Sequence, residues 1–238
     1  MTTPAAAAAV TIANTQECDF DGIGDLCRRV YPETTPWSPA QLASHLRVFP
    51  EGQFVARFGA DARIVGMSSS LIVDWDHYDM FDSWEDFTAN GMLTNHDPTN
   101  GRTLYGVELI VDPTLQGHGL GHQLLRAQKT LAGRVRLLRM RGGARLRDYH
   151  AHVRQMTAPE YVVAVVHGQI LDHTLSFHLH EDFHILAVVP HYLSEDSETL
   201  GYAALVEWLN PETIQPHHYA QRPTRFLHRD VVRQHHQG

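Results

Sequence analysis

The sequence holds only two cysteines, Cys18 and Cys27, and a pair so close together would staple little of the chain. Disulfide scaffolding and thiol redox chemistry are thereby excluded, and a reduced compartment is expected. Equally absent is any apolar run near the roughly 20 residues that a membrane helix needs. The opening MTTPAAAAAV has neither a basic segment nor a long enough apolar stretch for a secretory signal. The expected location is the cytoplasm, with no membrane contact. Basic charge is also in deficit, with 19 Lys and Arg against 27 Asp and Glu for a formal net charge of -8. Binding a phosphate backbone needs a basic surplus, so nucleic acid is not an expected partner.

The charge that is present is segregated. Asp74, Asp76, Asp79, Asp82, Glu85 and Asp86 follow one another with no Lys or Arg between them, whereas Arg126 to Arg154 carries eight Arg and Lys129 against Asp148 alone. One segment suits a cation and the other an anion.

The order of elements predicts an α/β chain with one mixed domain over residues 10–211. After an Ala-rich leader (1–9) expected to be disordered, VTIANT reads as a strand and residues 20–31 as a helix stopped by Pro32. Ser38, Pro39 and Gln41 write a capping box that opens a second helix. QFVARF and RIVGMSSSLIV then read as a hairpin. Residues 74–100 interleave acids with Trp75, Tyr78, Phe81, Trp84 and Phe87, which marks a folded excursion, since a disordered linker is poorer in aromatics. TLYGVELIV is the next strand, followed by an amphipathic helix over GHQLLRAQKTLAGRV and a strand at LLRMRGGARL. A second capping box, Thr157 with Glu160, predicts a helix of about 12 to 14 residues ending near Gly168. A short helix at LSFHLHED and strands at ILAVV and YAALVEWL complete the domain. Residues 212–238 are polar, aperiodic and expected to be an extension.

The segment with chemical content runs Glu108-Leu-Ile-Val-Asp-Pro-Thr-Leu-Gln116-Gly-His-Gly119-Leu-Gly121. A strand stopped at Pro113 and a helix starting near Gly117 leave a turn whose N–H groups have no partners and lie at the positive end of the helix dipole. That is an anion site, and glycines at 117, 119 and 121 let phosphate oxygens approach the main chain. The ending Gly-Lys-Ser/Thr of a P-loop is missing, and the glycine spacing is not that of a dinucleotide fold.

This stretch resembles the acyl-CoA signature of the GNAT N-acetyltransferase superfamily, Arg/Gln-x-x-Gly-x-Gly/Ala, with Gln116, Gly119 and Gly121 in its three places and a Val-Asp-Pro lead-in. Acetyltransferase domains similar to this chain, with a GARL stretch and a TLSF helix, also occur ahead of a carbon-nitrogen hydrolase domain in some bacterial proteins. The resemblance implies a single GNAT-type domain with a twisted mixed sheet that splays beside the glycine turn. It implies acetyl-CoA as co-substrate, with pantetheine paired to the backbone of Leu109, Ile110 and Val111. The pyrophosphate would lie on the turn Gln116, Gly117, His118, Gly119, Leu120, Gly121 and His122, and Arg126 would reach the 3′-phosphate.

The implied reaction is direct acetyl transfer to a primary amine in a ternary complex. Such transfer needs a base for the nucleophile, a donor for the oxyanion and a proton for the thiolate. Glu108 is the candidate base and the Val111 N–H the oxyanion donor. The family's acid is a Tyr four residues before a Gly-Phe pair. Asp182-Phe183 stands in that place here, and counting back gives His178, with Tyr149 and Tyr192 as substitutes. His178, His180 and His184 do not share one helical face, so no metal is expected. The acidic excursion suggests an amine-bearing, cationic acceptor. The apolar last strand would permit a homodimer.

Overall fold

In the computed structural model, which describes residues 10–193, 196–219 and 222–227, the strands are β1 (Val10–Asn14), β2 (Phe54–Phe58), β3 (Arg63–Val73), β4 (Thr103–Val111), β5 (Arg139–Arg145), β6 (His184–Val189) and β7 (Ala203–Leu209). They form one open sheet in the order β1-β2-β3-β4-β5-β7-β6. Only β4 and β5 run parallel, and a helical crossover joins them, as a parallel pair requires. The helices are α1 (Phe20–Val30), α2 (Pro39–Val48), α3 (Trp84–Thr88), α4 (Leu120–Arg134), α5 (Ala158–Val166), α6 (His173–His180) and a single turn, α7 (Pro216–Tyr219). The leader 1–9 lies outside the described residues.

Local chemistry sets most boundaries. Ser38 Oγ accepts from the Gln41 N–H at 3.3 Å while Gln41 Oε1 takes the Ser38 N–H at 3.1 Å, so α2 opens where its capping box stands. The Thr157 N–H donates to Glu160 Oε2 at 2.8 Å in the same way. α5 is nine residues long, shorter than predicted. Its end is where the glycine signal points: Gly168 takes φ 68 and the Gln169 N–H closes on Ala164 O. α4 begins at Leu120, later than Gly117, because Gly117 and Gly119 adopt left-handed φ of 77 and 78.

Each face of the sheet has its own core. Leu125 and Leu131 of α4, Tyr161 and Val162 of α5 and Leu175 of α6 cover one face. Ile23, Leu26 and Leu42 of α1 and α2, with Phe87 and Leu93 of the excursion, cover the other. The excursion is folded as its aromatics predict: Phe87 stacks on Tyr105 of β4 at 4.6 Å, and Trp75 and Tyr78 stack on Phe87 at 5.2 and 5.0 Å. Part of the C-terminal extension also packs, since Phe226 is only 4% exposed and joins the core under α5. Residues 228–238 lie outside the described residues.

The last strand does not offer a dimer edge. β7 is hydrogen-bonded to β5 on one side and β6 on the other, so an apolar strand here reflects two-sided burial. The edges belong to β1 and β6.

Across β5 and β7, Arg141 Nε and Nη2 donate to Glu207 Oε2 at 2.9 and 2.7 Å, and the guanidinium lies 4.2 Å from the Trp75 ring. Both side chains are buried. Replacing one member strands the other's charge, at a cost of about 3 to 5 kcal/mol. Glu207→Gln is therefore expected to lower the unfolding free energy by about 3 kcal/mol in denaturant titration. A change within about 0.5 kcal/mol would show that the pair is dispensable.

Candidate acyl-CoA site

β4 is paired along its whole length with β3 but only halfway with β5. The β4–β5 ladder runs from Thr103↔Arg139 to Gly106↔Gly142 and stops there, leaving residues 107–111 with one open edge. Parity decides which groups face it. The Asp112 N–H donates to Val65 O at 2.8 Å, and Gly66 stands opposite Val111, so Ile110 exchanges its hydrogen bonds with Met67 while Leu109 and Val111 turn outward. Of the three strand residues expected to pair with a pantetheine, Ile110 thus offers the gap nothing. Gln116 Nε2 donates to Val111 O at 3.2 Å, which ties off the strand end and leaves the Val111 N–H facing the gap.

The glycine turn continues this edge. A Cβ built on Gly117 or Gly119 would meet nothing within 4 Å, so the turn is open, whereas one on Gly121 would lie 3.4 Å from the Phe177 ring. Among the described residues, the N–H groups of residues 117 to 122 donate to no partner in the chain. Such a row at the start of a helix of 15 residues is a ready anion cradle. His118 Nδ1 lies 2.9 Å from Gln116 O, and His122 Nδ1 is 2.6 Å from Glu181 Oε1 at the end of α6. Arg126 is exposed one turn further along. The loop is anchored by Asp112, 1% exposed, which accepts from Arg29 Nε (2.9 Å), Arg63 Nη1 (3.1 Å) and the Thr114 N–H (3.0 Å).

Glu108 lies on the other face of β4 from the glycine turn, and a bulge puts it there. The β3–β4 register passes from Ser69↔Glu108 to Ser70↔Gly106, skipping Val107. Tyr105 and Glu108 therefore share a face although three residues apart. The carbonyl freed at the bulge, Val107 O, is taken by Trp84 Nε1 at 3.0 Å. Burial pushes the Glu108 carboxyl up to about 7, partly opposed by Arg145, the Tyr31 hydroxyl and the Leu109 N–H. The Tyr31 hydroxyl is 3.4 Å from Glu108 Oε1. Arg145, 5.0 Å from the Tyr31 ring centroid, is held by Asp196 (2.7 Å) and Glu198 (3.2 Å).

His178 is not brought to Glu108. It sits on α6, over the opposite face, with its ring edge-on to Phe177 and Phe183. Its Nδ1–H donates to Thr174 O at 2.8 Å, and burial, helped by Lys129, pulls its pKa below the ordinary value. At neutral pH it is an uncharged imidazole bound to its own helix, a poor proton donor. The Tyr149 hydroxyl is occupied by Met156 O at 3.2 Å. In the excursion, the carboxylates of Asp74, Asp79, Asp82 and Asp86 each accept a nearby main-chain N–H, so much of that acidity serves local turns. No group of three metal-ligating side chains assembles among the described residues, and no helix among them is long and apolar enough to cross a membrane.

This architecture is similar to a GNAT-like decarboxylase, GphF, solved in complex with isobutyryl-CoA: TM-score 0.71 and 25% identity, covering 84% of this chain and 99% of that one. The loading GNATL domain of CurA from Lyngbya majuscula gives TM-score 0.72 at 17% identity, over 86% of this chain and 99% of the other. No family model matches the sequence. A Bacillus subtilis protein named a probable hydrolase, YhcX, is 39% identical over 221 residues, 91% of this chain but 42% of its own length. The chain thus spans less than half of that relative. A second Bacillus subtilis protein, the uncharacterized N-acetyltransferase YkwB, is 36% identical over 206 residues, covering 85% of this chain and 89% of that one. The chain belongs to the GNAT superfamily of acyltransferases.

For a GNAT domain, the signature Gln116 to Gly121 was legible because turn chemistry is local. Tyr31, Arg145 and Trp84 were missed as parts of the Glu108 surroundings. They come from the residue that caps α1, from β5 and from the excursion, and no sequence spacing joins them.

The raised Glu108 pKa has a sign that can be checked. The folded carboxyl holds its proton from about 4.5 to about 7, where the unfolded one does not. Its contribution to stability is therefore complete below the lower value and lost as pH rises through the upper one. Glu108→Gln is expected to gain on the wild type as pH rises from 5 to 8 in denaturant titrations. A difference independent of pH over that range would contradict the assignment.

Proposed function

We propose that this GNAT domain transfers an acetyl group from acetyl-CoA to the primary amine of a small molecule or peptide, directly, in a ternary complex. The observation that carries the reading is the continuity of the open β4 edge with the row of unpartnered N–H groups at residues 117 to 122. A pyrophosphate on the turn, with Gln116, Gly117, His118, Gly119, Leu120, Gly121 and His122 around it, leads a pantetheine along Leu109 and Val111. Arg126 serves the 3′-phosphate.

Glu108 takes the proton of the attacking ammonium, directly or through one water. A carboxyl that titrates at about 7 is matched to that task near neutral pH. The Val111 N–H meets the oxyanion. The thiolate takes the second proton that the amine nitrogen loses as the amide forms, directly or through water, so no separate side-chain acid is required. That suits a site where His178 is turned to its own helix. No cysteine lies in the turn to carry the acyl group covalently. The acceptor side carries Glu108, with Glu85 close enough to act on the neighbouring Tyr192, and its cation Arg145 is matched by Asp196 and Glu198, a balance that favours an amine over a carboxylate-bearing acceptor. A longer acyl donor, or a hydroxyl acceptor, would use the same turn.

The test is calorimetric titration with acetyl-CoA and CoA of the wild type and of Gly119→Glu, Gly121→Glu. Binding by the wild type that the variant abolishes is expected, followed by amine-dependent thiol release that Glu108→Gln lowers about 100-fold or more. Absence of wild-type binding would overturn the reading. Binding without turnover for any amine would make the domain an acyl-CoA sensor.

A further inference from the structure

The parting of β4 and β5 is occupied by a residue from neither strand. Tyr192, in the connection between β6 and β7, is 2% exposed, and its hydroxyl accepts the Gly143 N–H at 3.1 Å. Gly143 is the first β5 residue beyond the last rung with β4, Gly106↔Gly142. The phenol thus takes a main-chain donor of β5 just where β4 ceases to be its neighbour in the ladder. The same hydroxyl is hydrogen-bonded to the Tyr105 hydroxyl of β4, so one oxygen bridges the two strands. The ring lies so close to β5 that a Cβ on Gly143 would be 2.2 Å from it, and only glycine fits there. The loop is held in turn by its main chain: the Tyr192 N–H donates to Gly201 O at 2.8 Å, and Tyr192 O accepts the Trp84 N–H at 2.9 Å. Trp84 is the residue whose indole takes the bulge carbonyl of Val107.

We infer that Tyr192 is a positioning residue, a wedge whose hydroxyl keeps β4 and β5 apart and so preforms the slot that receives the pantetheine arm. The inference rests on the acyl-CoA reading and adds to it a residue outside the glycine signature. Its physical basis is that a buried N–H does not stay unpaired. Without the phenol oxygen, the Gly143 N–H must find another acceptor, and extending the β4–β5 ladder past Gly106↔Gly142 would supply one on β4, across the slot. Rejoining the strands closes the space that the arm needs, while the glycine turn, built on Asp112 and α4, is untouched.

The experiment compares two probes on Tyr192→Phe: acetyl-CoA, which needs both turn and slot, and adenosine 3′,5′-bisphosphate, which lacks the pantetheine arm. Acetyl-CoA affinity is expected to fall roughly tenfold or more, with bisphosphate affinity unchanged. Tyr105→Phe keeps the Gly143 contact and is expected to bind both as the wild type does. Thermal unfolding of both variants is followed alongside. Equal losses for both probes, as general loosening would give, or no loss for either, would overturn the wedge. Wild-type protein that binds neither probe would overturn the acyl-CoA reading itself, and the wedge with it.

Discussion

A strand that loses its neighbour partway along is the constraint on which the rest of this structure depends. Buried main-chain groups are almost always paired, so a sheet that stops pairing at Gly106↔Gly142 must either expose those groups or satisfy them differently. This chain does both. Gln116 covers Val111 O, Trp84 covers Val107 O and Tyr192 covers the Gly143 N–H. What remains uncovered is Leu109 O and the Val111 N–H on the strand edge and, beyond the partnered residues 112 to 115, the N–H groups of residues 117 to 122. The site is made by withholding partners along a defined line.

The same interruption sets the surroundings of Glu108, the proposed base. The skipped residue at Val107 turns Glu108 onto the face covered by α1, where burial raises its carboxyl toward neutrality and Tyr31 approaches it. The excursion is needed for this arrangement, since it supplies Trp84 and is itself locked by the stacking of Trp75 on the buried Arg141–Glu207 pair. Stability of the 74–100 segment and the geometry of the β4 edge are therefore linked through two tryptophans, Trp84 and Trp75, and one ion pair.

How much of this was legible beforehand follows from range. Capping boxes at Ser38 and Thr157, the glycine turn and the aromatic excursion were readable because each depends on residues a few positions apart. The bulge was not, because two-against-one pairing is a property of two strands. Tyr31 and Arg145 lie far apart in sequence and meet only when α1 packs beside β4. Counting back from Asp182-Phe183 leads to α6 and, in His178, to a side chain bound to Thr174 O. The apolar last strand would permit a homodimer on sequence grounds, whereas its hydrophobicity records pairing on both sides, by β5 and β6.

The central claim, that unpartnered main-chain donors hold an acyl-CoA, is tested most directly by following backbone amide resonances while CoA is added. The account predicts that the largest shifts fall on residues 117 to 122 and on Val111, with Ile110, whose N–H is bonded to β3, much less affected. Saturable shifts confined to other surfaces, with these amides unmoved, would contradict it.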